Sequence, residues 1–177
     1  MKQSLIITSI LFCVNTGFSQ VHNHALGLRF RTSPHLNIRN TELSYQIGLN
    51  QKNRLEIGLN YGQGGFDSFK YRHLSSSIYY QHVMNIRGGL NWYVGAGLKY
   101  DLSQYIVNNV SQFHHQFSAG PTIGLEYDFN HKNIPLLLSL DYRPSLVYSP
   151  SFQGNAYIQN QFGLALRYTF KDKPNSN

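Results

Sequence analysis

The sequence offers one pattern that resembles a hydrolytic pair. His73 and Ser75 flank Leu74 in a His-x-Ser arrangement. A histidine that activates a serine also needs a carboxylate that orients its ring, and no acid occurs along the chain between Asp67 and Asp101. The pattern is better explained as the polar start of a strand.

Two histidine pairs are the candidate metal ligands. They are His22-x-His24 and the adjacent pair His114-His115. Neighbouring residues of a strand point to opposite faces, and no third ligand is evident near either pair, whereas zinc sites use three or four protein ligands. The sequence therefore predicts no metal and no other cofactor.

The first 19 residues have the three regions of a secretory signal peptide. Lys2 precedes an apolar run from Leu5 to Val14, and Gly17-Phe18-Ser19 supplies the small residues of a cleavage site after Ser19. Cys13, the only cysteine, lies inside the apolar run. The mature chain is therefore expected to use no thiol chemistry and to need no disulfide.

The composition narrows the class of protein. The 177 residues suit one domain, and only 13% are charged, against about 25% in ordinary soluble domains. Aromatic residues reach 14%, while the mean hydropathy is −0.34. Disorder and a helical membrane protein are both excluded, because the chain is aromatic-rich yet has no apolar run of about 18 residues.

Past residue 24, apolar residues alternate with polar ones, which is typical of strands with two unlike faces. Eight such segments can be recognised, although the phase of the fourth is ambiguous. They cover approximately 26–30, 43–49, 55–61, 73–86, 90–100, 117–129, 136–142 and 162–170.

The polar face of these strands favours a membrane barrel over a soluble one. Strand glycines fall on this face, as do charges of both signs, which suits a narrow interior. Aromatic residues bracket the apolar face at one end, as in the girdle of a transmembrane barrel. They are Trp92, Tyr127, Phe129, Tyr168 and Phe170.

The connections between strands alternate in length. Those around 50–53, 85–89 and 130–133 are short, and those around 32–41, 62–72, 102–112 and 150–155 are longer. Outer-membrane barrels have short periplasmic turns and longer external loops. The sequence thus predicts an all-β fold, an eight-stranded antiparallel up-and-down transmembrane β-barrel, with both termini at the short-turn end.

Over 24–170 the chain resembles the small OmpA/OmpX-type outer-membrane barrels. Its last strand is similar to the signal that the barrel assembly machinery recognises, carried by Gln161, Gly163, Leu166, Tyr168 and Phe170. The expected organisation is a signal peptide over 1–19, a barrel over 20–170 and a short polar periplasmic tail over 171–177. This tail is too short for a peptidoglycan-binding domain.

An interior of eight strands holds only side chains. The ten charges predicted to point inward share levels with charges of opposite sign, which offsets the cost of burying them. We therefore predict a plugged, charge-paired lumen, with a narrow small-solute channel as the less favoured alternative. The ten residues are Arg29, Arg31, Glu56, Lys99, Asp101, Glu126, Asp128, Asp141, Arg143 and Arg167.

The net charge of +7 does not indicate nucleic-acid binding in an exported barrel. Arg39, Lys70 and Arg72 fall in the first two external connections, where lipopolysaccharide phosphates are the expected contacts. Ordinary solvation of the loops explains these charges equally well.

The function expected from these features is a non-enzymatic structural or interaction barrel of the bacterial outer membrane. Its partners would be outer-membrane lipid, lipopolysaccharide, the assembly machinery and a protein bound by the external loops. The alternative is a lipid A-modifying enzyme. His73-Leu74-Ser75 resembles the His-x-Ser of lipid A deacylases, and His35 with Asp67-Ser68 resembles the loop residues of lipid A palmitoyl transferases.

Overall fold

Ten strands carry almost all of the backbone hydrogen bonding in the computed structural model, which describes residues 21–32, 39–66, 69–107, 110–150 and 155–170. A short 3₁₀ turn, Phe129–Lys132, follows the sixth strand. The strands are β1 (His24–Thr32), β2 (Arg39–Gly48), β3 (Asn53–Phe66), β4 (Phe69–Arg87), β5 (Leu90–Val107), β6 (Val110–Asp128), β7 (Leu136–Tyr142), β8 (Ser145–Ser149), β9 (Asn155–Gln159) and β10 (Phe162–Phe170).

The ten strands make up the eight walls of a closed antiparallel barrel, and each wall, which is one strand or two strands in line, is here called a stave. β7 and β8 pair with β6 in one register and form a single stave, interrupted where Pro144 lacks the N–H that a ladder needs. β9 and β10 likewise form one stave, and β1 pairs with both β2 and β10. The β5–β6 pairing closes the ring, so the predicted eight-stranded barrel is confirmed.

The shear of the barrel is ten residues, as the register pairings around the ring show. Starting at Met84, the successive partners are Trp92, Leu125, Leu140, Leu164, Phe30, Thr41, Tyr61 and finally Leu74, which lies on β4 ten residues from the start. A shear of this size tilts the strands, and in an eight-stranded barrel it leaves an interior that side chains fill.

Burial is the reverse of that in a soluble protein. On β10, Leu164 and Leu166 are 50% and 48% exposed, while Ala165 and Arg167 between and after them are fully buried. The predicted phases are confirmed, and the ambiguous fourth segment is resolved, since Ile78 points outward. An apolar exterior around a polar interior is the arrangement that a lipid environment requires.

One end of the barrel, here called the near end, holds the short turns and the start of β1. Gly88 and Gly89 form the β4–β5 turn with φ of 51° and 80°, and Asn133 ends the 3₁₀ turn with φ of 61°. These left-handed conformations suit glycine and asparagine. Among the described residues, no helix is long and apolar enough to cross a membrane.

At the opposite, far end, the structure corrects two predicted loops. The segments 62–72 and 102–112 were expected to be long connections, but pairing continues to Phe66↔Phe69 and to Val107↔Val110. β4, β5 and β6 are consequently 19, 18 and 19 residues long. Strands above a membrane need no apolar face, so the loss of alternation there did not mark the strand ends.

Candidate functional site

The centre of the lumen is occupied by a connected group of ion pairs. Arg29 forms a forked pair with Asp141, with Nε 3.0 Å from Oδ2. The Nη2 atom of Arg143 lies 2.6 Å from Glu56 Oε1 and 3.3 Å from Asp141 Oδ2. Arg167 donates to Glu56 Oε2 at 3.1 Å. All five side chains are almost completely buried, so each charge depends on its partners rather than on water.

Glu42 belongs to this group and was missed from the sequence. It is paired in register with Arg29, and its carboxylate lies 3.2 Å from Arg31 and 3.9 Å from Arg143. The clue was available, because Glu42 continues the inward series that begins at Ser44. The recognised alternation stopped at Leu43, since polar Thr41 occupies the next outward position.

A second missed residue, Arg54, lies toward the near end. Its Nη1 is 2.7 Å from Glu126 Oε2, and its Nε donates to Gln81 at 2.7 Å. The guanidinium also lies 4.9 Å from the centre of the Tyr93 ring. Arg54 is therefore the ion-pair partner of Glu126, and the predicted set of ten charges did not include it.

Two tyrosines fill the space between the ion pairs. Tyr93 donates its hydroxyl to Asp141 Oδ2 at 3.1 Å, and the Arg143 guanidinium lies 4.3 Å from the centre of the Tyr79 ring. A side chain at Gly124 would collide with Tyr93, and one at Gly163 would collide with the guanidinium of Arg29. These two glycines thus give room to the large inward side chains of Tyr93 and Arg29.

A third layer lies toward the far end. Lys99 Nζ is 2.9 Å from Asp101 Oδ1, and Arg31 donates to Gln161 at 3.0 Å. His73 and Ser75 are buried in the lumen near this layer, and both lie within hydrogen-bond distance of Asn60 Oδ1, at 2.6 Å and 3.5 Å.

The His-x-Ser pair therefore lacks access to lipid. Asp101 is paired in register with Ser75 and would be the nearest candidate for the missing acid, but it is engaged by Lys99. His73 and Ser75 face the interior, whereas the acyl chains of a lipid substrate would lie against the outward-facing residue Leu74. His35 and Asp67-Ser68 lie outside the described residues.

Asp128, predicted for the lumen network, instead caps the turn at the near end. It accepts hydrogen bonds from His22 at 2.8 Å and from the backbone N–H of Asn130 at 2.9 Å. Partial burial acts to raise the pKa of Asp128, but the hydrogen bonds from His22 and Asn130 outweigh it and hold the pKa below its usual value. Because β6 ends here, alternation no longer determines where the side chain points.

The histidine pairs are divided between different surroundings. His22 contacts Asp128, while His24 stacks on Tyr45. His115 lies against Tyr100, and His114 packs edge-on against a different tyrosine. Within the described part of the chain, no three metal-ligating side chains come together.

The predicted lipopolysaccharide contacts lie on strands rather than loops. Arg39 on β2 and Arg72 on β4 are both paired in register with Gln63 on β3, and Lys70 is paired with Gly65. The Arg72 side chain is exposed, whereas the structure does not describe the side chains of Arg39 and Lys70.

The residues of the predicted assembly signal lie at the seam that β10 forms with β1. Gln161 and Gly163 face the lumen, where the side-chain oxygen of Gln161 accepts a hydrogen bond from Arg31. Leu166, Tyr168 and Phe170 point outward. Recognition by the assembly machinery stays a prediction.

Comparison with known proteins gives a likeness of structure only. No protein-family model matches the sequence, and no curated protein does either. Neisserial surface protein A (NspA) is similar with a TM-score of 0.60 and 13% identity, over 83% of this chain and 94% of that chain.

Two further solved structures are similar. Ail, the attachment invasion locus protein of Yersinia pestis, has a TM-score of 0.52 and 14% identity over 85% of this chain and 100% of that one. The N-terminal β-barrel domain of Pseudomonas aeruginosa OprF has a TM-score of 0.51 and 19% identity over the same shares, 85% and 100%. At these identities the likeness establishes the fold alone.

Proposed function

We propose that this chain, which has the fold of the small eight-stranded outer-membrane β-barrels, is a non-enzymatic structural or interaction barrel of the bacterial outer membrane. The observation that carries the proposal is the inverted burial. Leu98, Leu140 and Phe162 are 62%, 55% and 53% exposed around a lumen of buried ions. Exposing such a continuous apolar surface to water would be strongly unfavourable, whereas lipid covers it.

The orientation follows from the two ends. We assign the near end to the periplasm, because it holds the short turns and the start of β1, and the far end to the cell surface. The signal peptide predicted over 1–19 would supply export. The lengthened β4, β5 and β6 would then stand above the outer leaflet as a surface for contacts with other molecules.

The lumen is proposed to act as a plug. The Arg54–Glu126 pair, the central group and the Lys99–Asp101 pair occupy successive levels from the near end to the far end. A solute that passed through the lumen would have to separate these buried ion pairs. No water is there to solvate the separated charges, so the cost is several kcal/mol for each charge.

Partners of the proposed barrel are outer-membrane lipid and lipopolysaccharide, the assembly machinery during biogenesis, and a protein at the external strands. No nucleic acid and no cofactor are proposed. The absence of lipid access at His73 and Ser75 supports the non-enzymatic assignment over lipid A modification.

Two measurements test the proposal. The protein should fractionate with outer membranes, and it should migrate faster unheated than boiled on a detergent gel, because a closed barrel resists unfolding. Recovery in the soluble periplasmic fraction would contradict the location. Lipid A mass spectrometry of a deletion strain should match its parent, and a changed acylation pattern would restore the enzyme class.

A further inference from the structure

The outward face of β1, β2, β3 and β4 carries a groove of 640 Å³ toward its far end. A volume of this size is within the range of small-ligand sites. The groove is lined by Leu28, Thr41, Leu43, Leu59, Asn60, Tyr61, Gln63 and Leu74.

The chemistry of this groove changes in order with height. The lowest row is apolar, with Leu43 paired to Leu59 and with Leu28 beside them. The next row is mixed, since Thr41 and Leu74 flank Tyr61.

The highest row is polar and cationic. Gln63 accepts a hydrogen bond from the Tyr61 hydroxyl at 3.3 Å, and register places the exposed Arg72 beside it. The groove is therefore amphipathic along the barrel axis, apolar in the bilayer and positive at its surface.

Another groove on the lipid face lacks this order. It is lined by residues such as Trp92, Leu125 and Leu140. Between this groove and the far end, no described arginine or lysine stands on the outward face of the strands that line it. The order is thus not a general property of spaces between lipid-facing side chains.

We infer that the β1–β4 groove binds one phosphorylated lipid of the outer leaflet, an inference that rests on the proposed outer-membrane location. An acyl chain lies over Leu28, Leu43 and Leu59, and a phosphate on the headgroup accepts hydrogen bonds from Arg72. Guanidinium groups hold phosphate oxygens in a fork, and the apolar row gains contact with the chain. The described acids on these strands, Glu42 and Glu56, face the lumen and do not oppose the phosphate.

The test uses the full-length mature barrel, purified in detergent, and native mass spectrometry with diphosphorylated lipid A as the probe. The unmodified protein should retain one lipid A molecule, and Arg72→Gln should weaken its affinity about tenfold, the loss of one charged hydrogen bond. Arg87→Gln is the matched control, because Arg87 is exposed at the near end of the same strand. This control should bind as the unmodified protein does.

A second pair of variants tests the acyl part of the site. Leu59→Trp fills the groove and should abolish retention, whereas Leu146→Trp, on the opposite wall and 58% exposed, should leave it unchanged. Dephosphorylated lipid A should bind about tenfold more weakly than the diphosphorylated form.

Several results would overturn the inference. Equal retention of lipid A by all four variants would mean that the lipid is unspecific annular lipid. Displacement of lipid A by millimolar inorganic phosphate would mean that the groove is an anion site without a lipid. A stable dimer that covers the groove would mean that a second copy of the chain occupies it. Heat-modifiable migration of every variant separates these failures from failure of the proposed function, in which the unmodified chain would not form a membrane barrel.

Discussion

Replacing Glu56 by glutamine should strongly destabilise the barrel. Glu56 accepts hydrogen bonds from Arg143 at 2.6 Å, Arg167 at 3.1 Å, Gln46 at 2.9 Å and Gln81 at 3.2 Å. Glutamine has the same shape but one oxygen and no charge, so two buried guanidinium groups lose their shared counter-charge.

The magnitude follows from the burial of the partners. Both arginines are at most 1% exposed, and removing one member of a buried pair typically costs about 3–5 kcal/mol. Asp141 continues to contact Arg143, so the lower half of this range, about 3 kcal/mol, is the expected loss.

The assay is reversible urea unfolding of the purified barrel in phospholipid vesicles, followed by the fluorescence of Trp92. Asp128→Asn is the matched control, because this acid caps a turn at the near end and asparagine caps as well as aspartate, so it should cost less than about 1 kcal/mol. Adding Arg167→Met to Glu56→Gln should recover part of the loss, because one unpaired charge is removed. A loss below about 1 kcal/mol for Glu56→Gln would refute the claim that the lumen network depends on pairing.

Three further predictions concern the two faces and the plug. Leu138→Arg, on the lipid face, should cost about 2–4 kcal/mol in vesicle unfolding, while Leu138→Phe at the same position should cost little, because it keeps the lipid face apolar. Similar losses for both would show that the two faces are assigned incorrectly. Gly124→Leu places a side chain against the Tyr93 ring, so the amount of folded, heat-modifiable protein on the gel should fall. Normal folding of this variant would show that the lumen is loosely filled. In planar bilayers the unmodified protein should show no steady current, and Lys99→Ala with Arg143→Ala should admit cations. A large stable current before mutation would move the channel alternative to first place.

The sequence was sufficient for the staves because a membrane forces alternation on every strand that crosses it. Leu164, Ala165 and Leu166 report the phase of β10 directly, and the same pattern recurs around the ring. Glycines on the polar face carried a second signal, since residues such as Gly163 lie opposite large inward side chains.

What the sequence could not supply lies where strands pass beyond the bilayer. Apolar alternation reports membrane depth rather than strand length, so the far parts of β4, β5 and β6 were read as loops. The same limit hid Glu42 and Arg54, whose outward neighbours Thr41 and Asn53 are polar. Which charges pair across the lumen also depends on the stagger, a property of the closed ring that no local pattern contains.

The inverted burial has a consequence for how such a sequence can drift over evolutionary time. Lipid chains are fluid, so an outward leucine such as Leu140 contacts a solvent that adapts to any apolar shape, and isoleucine, valine or phenylalanine should serve there equally. The lumen behaves as a close-packed interior, in which a change at Tyr93 or Arg29 must be answered by the glycine that faces it. Half of each strand can therefore change freely, while the other half changes only in matched sets, so barrels of one architecture can come to share very few identical residues.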